Sequence, residues 1–207
     1  MAIDARRHWN AVYTAKAPEA VSWYAPHLAR SLAYIRGTGL GAGAAIIDVG
    51  GGESTLAGDL LGAGFHDLTV LDISGEALRV AADRLGPRAA EVRWITADVL
   101  EHDFAPASFD LWHDRAVFHF LTAEDAREAY VRQALKALRS GGFAIVGAFG
   151  PHGPEQCSGL SVMRYAPEEL HATFGAPFTL IEHGVDLHTT PRGVVQEFVY
   201  CLCRREP

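Results

Sequence analysis

Long apolar runs are missing from this 207-residue chain. No window approaches the ~18 to 20 uninterrupted apolar residues that a membrane span needs, and the opening MAIDARRHWNAVY has no apolar core of a secretory signal. A membrane partner is therefore not expected, and a cytoplasmic location is. Cysteine is scarce: Cys157, Cys201 and Cys203 are too few and too unevenly placed for a disulfide framework or a structural zinc site. Basic charge is short too. Eighteen Lys and Arg stand against 25 Asp and Glu, a formal net charge of −7, so the chain has no global attraction to polyphosphate and nucleic acid is not an expected partner. Low-complexity segments are also absent, and the composition is unlike that of a disordered or fibrous chain.

What is there is the composition of an ordinary globular protein, 49% apolar and 21% charged, of a length that fits one domain spanning 1–207. Apolar runs of strand length recur at 44–49, 68–73, 92–97, 109–114, 142–149, 178–188 and 195–204. Helical patterns separate the first five, the alternation of an α/β fold with a parallel sheet covered by helices on both faces. Ser74 caps a helix through Ala77, Leu78, Ala81 and Leu85 that Gly86-Pro87 stops. Thr122 with Asp125 resembles a capping box for the next helix, whose buried stripe is Tyr130, Val131, Ala134, Leu135 and Leu138 and whose end is Ser140-Gly141-Gly142. The last two strands, joined through TTPRG, read as an antiparallel hairpin at one end of the sheet. On that hairpin Cys201 and Cys203 share a face, which predicts two core thiols. Residues 1–40 lie outside the alternation and read as a helical lid or buttress on a 41–207 core.

The stretch AIIDVGGGESTL is a strand running into a glycine turn and a helix start, able to present backbone N–H groups to an electron-rich ligand. The dinucleotide fingerprint G-x-G-x-x-G is incomplete, because Gly50 and Gly52 are followed by Thr55 where its third glycine belongs. Asp72, 22 residues after Gly50, closes the second strand, a position from which an acid grips ribose hydroxyls in either cofactor class.

Asp48-Val49-Gly50-Gly51-Gly52, Asp72-Ile73-Ser74 and Thr96-Ala97-Asp98 together resemble the first three motifs of the class I S-adenosylmethionine-dependent methyltransferases. The resemblance covers roughly residues 44–204. It implies a Rossmann-like seven-stranded sheet, mostly parallel with a C-terminal antiparallel hairpin, binding S-adenosyl-L-methionine and releasing S-adenosyl-L-homocysteine. Carried over, the cofactor-binding set is Asp48, Gly50, Gly52, Ser54, Asp72, Ile73, Asp98, Val99 and His113. Within it Asp72 would hold the ribose, Asp98 the adenine amino group, and Ile73 with Val99 the adenine faces. Ser54 stands where the family often has a third glycine, a departure similar to small thiol and protein lysine methyltransferases.

Ligands of open α/β sheets sit beyond the carboxyl ends of the strands, so WHDRAVFHFLT after the fourth strand is the candidate acceptor segment. His113, Asp114, Arg115 and His119 are candidates there, with Arg164 and His188 from the polar 150–167 loop and the hairpin. Cys157, His152 and Gln196 are also within reach of an acceptor by this reading. Two alternatives remain open: Asp114 and Arg115 as a structural pair, and His119 as a core residue among Phe118, Phe120 and Leu121. No metal is expected, since a spacing of six positions does not put His113 and His119 on one helical face. Trp9, Tyr13, Trp23 and Tyr24 belong either to a closing lid or to the core. A small-molecule acceptor, a thiol or hydrosulfide attracted by Arg115 and Arg164 with His113 as base, is the first expectation. A protein lysine aligned by Asp114 with Tyr24 or Tyr165 is the second, and a non-catalytic cofactor-binding module the third.

Overall fold

A computed structural model describes residues 4–207. Helices α1 (Ala5–Ala15) and α2 (Ala29–Gly37) precede β1 (Ala45–Val49), α3 (Leu56–Gly62), β2 (Asp67–Asp72), α4 (Gly75–Leu85) and β3 (Val92–Thr96). Then come β4 (Phe109–Arg115), α5 (Glu124–Ala137), β5 (Leu138–Phe149), a two-residue pair β6 (Gln156–Cys157) and β7 (Leu160–Ser161), α6 (Pro167–Phe174), β8 (Phe178–Thr189) and β9 (Val195–Arg205). Residues 1–3 of the expected N-terminal segment lie outside the described residues.

The seven-stranded sheet has the order β3-β2-β1-β4-β5-β9-β8; β3 through β5 are parallel, and β9 runs antiparallel between β5 and β8. This is the expected Rossmann-like sheet with its antiparallel hairpin. Alternation along each strand splits the core in two. One face carries Ile47, Trp112, Val146, Val199, Cys201 and Cys203 against α5 and α6. The other carries Ile46, Leu111, Ile145, Tyr200 and Leu202 against α2, α3 and α4. The two C-terminal cysteines are thus free thiols in the core, as their spacing predicts.

Local signals hold where one residue decides them. The Ser74 hydroxyl accepts from Ala77 N–H at 3.3 Å to cap α4, and Gly86, at φ +58°, ends it. Two readings around α5 need correction. Its N-cap is Ala123, with no side-chain cap, because the chain leaving the 3-10 turn at Phe118–Phe120 enters the helix two residues after Thr122. Its last residue is Ala137: Leu138, Ser140 and Gly141 already belong to β5, where Leu138 pairs with Phe109 before the register shifts. Among the described residues no helix is long and apolar enough to cross a membrane.

Candidate active site

The tips of β1, β2, β3 and β4 open into a cavity of about 330 Å³, with α1 and the segment around Trp23 over it. Two glycines shape its floor. Gly50 has φ +65°, and a Cβ there would sit 1.8 Å from Val117 Cγ2; Gly52 has φ +49°, and its Cβ would meet Tyr13 Oη at 2.5 Å. The turn does not offer its N–H groups as expected. Gly50 and Gly51 N–H both turn back to the Leu71 carbonyl, at 2.7 and 3.3 Å, and Gly52 N–H is directed to Asp72. Its contribution is bare backbone that lets a ligand come close.

Asp72, at the end of β2, lines the cavity while its Oδ1 accepts from Ser74 N–H at 2.7 Å. Burial pushes its carboxyl up to about 7 against the opposing backbone hydrogen bonds, so it lacks enough donors to be comfortably charged. One step along the sheet, Asp98 lines the same cavity, its Oδ1 held by Leu100 N–H at 2.8 Å, and the apolar Ile73, Val99 and Leu100 line it too. A carboxylate short of donors, a second acid in an apolar slot and a glycine floor without side chains are a donor set that fits a nucleoside with an apolar base and a hydroxylated sugar.

Beyond Gly50 the cavity is walled by Trp9, Trp23, Phe120, Phe149, Leu160 and Phe198, with Cys157 and Gln196 as polar members. Trp9 meets Tyr13, Trp23 and Phe120 at centroid distances of 5.9, 6.0 and 5.0 Å. These aromatics line the cavity, and Tyr24 lines a smaller chamber beside it. Among the described residues Arg115 is the sole Lys or Arg on the cavity wall. Its Nη1 donates to the Trp23 carbonyl at 3.0 Å and its guanidinium lies 4.5 Å from the centre of the Phe198 ring. Ala116, next to it, is held at φ +79°, a conformation rare for a residue with a Cβ and a sign of local strain at a functional site. Burial pushes the Cys157 thiol up, which keeps it protonated and unreactive.

Several candidates are placed elsewhere. His113 and Asp114 are neighbours on β4, so their side chains leave opposite faces of the sheet and cannot converge. His113, 1% exposed, joins Asp48 Oδ1 through Nδ1 at 2.7 Å and Ser31 Oγ through Nε2 at 2.8 Å. With both ring nitrogens engaged it ties β1, β4 and α2 together and is not placed to take an acceptor's proton. On the other face Asp114 accepts from Val117 N–H, Phe118 N–H and, at 2.5 Å, the Tyr130 hydroxyl, which itself accepts from Trp112 Nε1–H at 2.8 Å. Burial still pushes Asp114 up to about 6. That network fixes the turn after β4, and Asp114 pairs with it rather than with Arg115.

His119 is fully buried; its Nδ1 accepts from Phe149 N–H at 3.3 Å, its Nε2 has no partner, and burial lowers it to about 3. It is a neutral core histidine. Arg164 clasps its own loop through the Pro151 carbonyl at 3.1 Å and Glu155 Oε1 at 3.0 Å, and it does not line the cavity. His188 Nε2 donates to the Ser22 carbonyl at 2.8 Å, tying β8 to the segment before Trp23. His152 is exposed and Tyr165 is buried against Phe118, both off the cavity wall. Ser54 is outside the main cavity as well, where its hydroxyl accepts from Leu56 N–H at 3.1 Å at the start of α3. Among the described residues no group of three or more His, Cys, Asp or Glu could hold a metal.

A sheet of this order with a cavity at its carboxyl tips is a Rossmann-like methyltransferase architecture. Residues 46–142 match the family model described as a methyltransferase domain. The eEF1A lysine and N-terminal methyltransferase homolog of Drosophila melanogaster is 26% identical over 144 residues, 65% of this chain and 21% of that protein. The chain thus spans about a fifth of the length of the curated relatives it matches. Among solved structures, one reported for the conversion of a disulfide bond into a thioacetal group during echinomycin biosynthesis superposes with a TM-score of 0.79 at 23% identity, covering 97% of this chain and 92% of that one. The Burkholderia thailandensis 1,6-didemethyltoxoflavin-N1-methyltransferase, with 1,6-didemethyltoxoflavin and S-adenosylhomocysteine bound, gives a TM-score of 0.66 at 21% identity, covering 98% of this chain and 84% of that one. At these identities the structures speak for the fold. Residues 46–142 thus match a methyltransferase domain on a Rossmann-like methyltransferase fold, and S-adenosylmethionine is the cofactor that this match implies.

Proposed function

We propose that this chain moves the methyl group of S-adenosylmethionine to a small, soft nucleophile, best matched by a thiol or hydrosulfide. The observation that carries the reading is the charge on the acceptor end of the cavity: among the described residues Arg115 is its sole cation and no carboxylate joins Trp23, Phe149, Leu160, Gln196 and Phe198 on that wall. A guanidinium beside the acceptor favours an anion such as a thiolate and repels the ammonium of a lysine. Among the described residues no histidine lines the cavity, and a thiol, with an ordinary pKa of about 8.5, ionises without a strong base once a cation stands next to it.

In this reading Asp72 accepts from the ribose hydroxyls, Asp98 from the adenine amino group, and Ile73 and Val99 flank the base. Gly50 and Gly52 keep the floor clear. When bound, S-adenosylmethionine supplies a methyl group on a positively charged sulfur. Arg115 holds the acceptor as its anion, whose proton has passed to water, and α1 with Trp9, Trp23 and Phe120 acts as a lid that excludes water. Transfer to the acceptor sulfur would leave the cofactor's own sulfur as the thioether of S-adenosylhomocysteine.

A protein lysine is the second reading, favoured by the names of the Drosophila relatives. The test is release of S-adenosylhomocysteine by the purified protein with a panel of small thiols and hydrosulfide, run beside a cell-protein extract with methyl-labelled cofactor. Turnover with a small thiol or hydrosulfide is the expected result. Label confined to a protein band overturns the small acceptor in favour of lysine.

A further inference from the structure

Glu53 follows the glycine turn directly and is 5% exposed, yet neither of its carboxylate oxygens has a hydrogen-bond partner. A buried carboxylate left this way is costly, and native structures keep such groups where a ligand completes them. The nearest cation does not complete it. Arg84 Nη1 donates to the backbone carbonyls of Glu53 and Ser54, at 2.7 and 3.3 Å, leaving the carboxylate unpaired. Burial, reinforced by Glu19, Glu76 and Asp72 and opposed by Arg84, pushes Glu53 up to about 7.

Glu53 lines a small chamber of about 40 Å³ that shares Tyr13, Trp23, Gly50 and Arg115 with the main cavity. The two spaces therefore meet at Gly50, beside the point where β1 and β4 end. We infer that this chamber receives the amino-acid end of the cofactor and that Glu53 accepts hydrogen bonds from its α-ammonium group. The inference rests on the cofactor reading above and adds a residue to it.

Charge decides the direction. With the nucleoside over Asp72 and Asp98 at the tips of β2 and β3, a zwitterionic amino acid has two ways to go past Gly50. The wider end of the cavity is aromatic and carries no carboxylate. The small chamber carries Glu53, with two unfilled acceptor oxygens, so the ammonium of an α-amino acid meets an opposite charge there. The ammonium brings three donors to a group that has none.

The experiment is calorimetric titration of wild type and Glu53→Gln with two ligands, S-adenosylhomocysteine and 5′-methylthioadenosine. The second has the same nucleoside and thioether and lacks the amino acid. Glu53→Gln is expected to weaken S-adenosylhomocysteine by roughly tenfold or more and to leave 5′-methylthioadenosine within about twofold. Unchanged affinity for S-adenosylhomocysteine, or equal losses for both ligands, overturns the inference. If Glu53→Gln does not fold, Glu53→Asp applies the same contrast, with the loss again confined to S-adenosylhomocysteine. A folded wild type that binds neither ligand overturns the cofactor reading itself.

Discussion

Replacing Asp72 with Asn should move ligand-free stability and cofactor affinity in opposite directions. In the free protein burial raises the Asp72 carboxyl from its ordinary 3.8 to about 7, a difference on the order of 4 kcal/mol between its two protonation states. Between those values the unfolded chain has released a proton that the folded chain still holds. The stability this group lends is therefore complete below pH 3.8 and drains away as pH rises through 7. The amide has no charge to bury, so at pH 8 ligand-free Asp72→Asn should melt at or above the wild-type midpoint. Binding should suffer, because ribose hydroxyls donate best to the charged form, and losing such bonds costs about 2 kcal/mol, or a ~30-fold rise in Kd. The same coupling makes wild-type affinity for S-adenosylhomocysteine increase as pH rises through 7. Glu53 contributes in the same direction, so the Asn variant keeps part of that slope. Scanning calorimetry of the free proteins and titration calorimetry at pH 6, 7 and 8 measure both effects. An Asn variant that binds with wild-type affinity, or one that is less stable when free and loses affinity only in proportion, would refute the reasoning.

Other expectations test the remaining parts of the site. Gly50→Ala, strained at its positive φ and driven against Val117, should cost about 2 to 4 kcal/mol in denaturant unfolding and weaken cofactor binding. His113→Ala breaks the chain from Asp48 to Ser31 and should cost a similar 2 to 4 kcal/mol or so of stability; a variant of wild-type stability that has lost only turnover would restore His113 as a base. His119→Leu removes the unpartnered Nε2 but also the Nδ1 that accepts from the buried Phe149 N–H, and should cost about 1 to 2 kcal/mol in urea unfolding without changing turnover of the remaining folded enzyme. Arg115→Gln should shift the pH profile of thiol turnover upward, because the acceptor then ionises unaided, while the Kd for S-adenosylhomocysteine rises less than kcat/KM falls.

Strands were legible because burial on both faces forces continuous apolar runs, and the acids that close them, Asp72 and Asp98, could be read from their place at strand ends. The acceptor side was not legible in the same way. WHDRAVFHFLT carries four polar candidates in seven positions, but strand alternation sends His113 toward α2 and Asp114 toward α5, leaving Arg115 at the tip as the one that reaches the cavity. The period of two was available in the sequence and would have separated them. Arg164 and His188 look like free polar side chains in a linear reading; their partners, the Pro151 and Ser22 carbonyls, become neighbours through folding alone. Glu53 was overlooked because a carboxylate beside a glycine turn reads as a solvated helix start, and its isolation under Tyr13 depends on where α1 packs. The strained Ala116 gives no sequence signal at all, since alanine is not a residue that announces a positive φ.

A crystal structure of the chain with S-adenosylhomocysteine tests the central claim most directly. The account predicts the ribose hydroxyls within hydrogen-bonding distance of Asp72, the adenine between Ile73 and Val99, and the amino-acid end beside Glu53. A ligand bound away from the tips of β1 and β2, or one whose ribose leaves Asp72 without a partner, would contradict it.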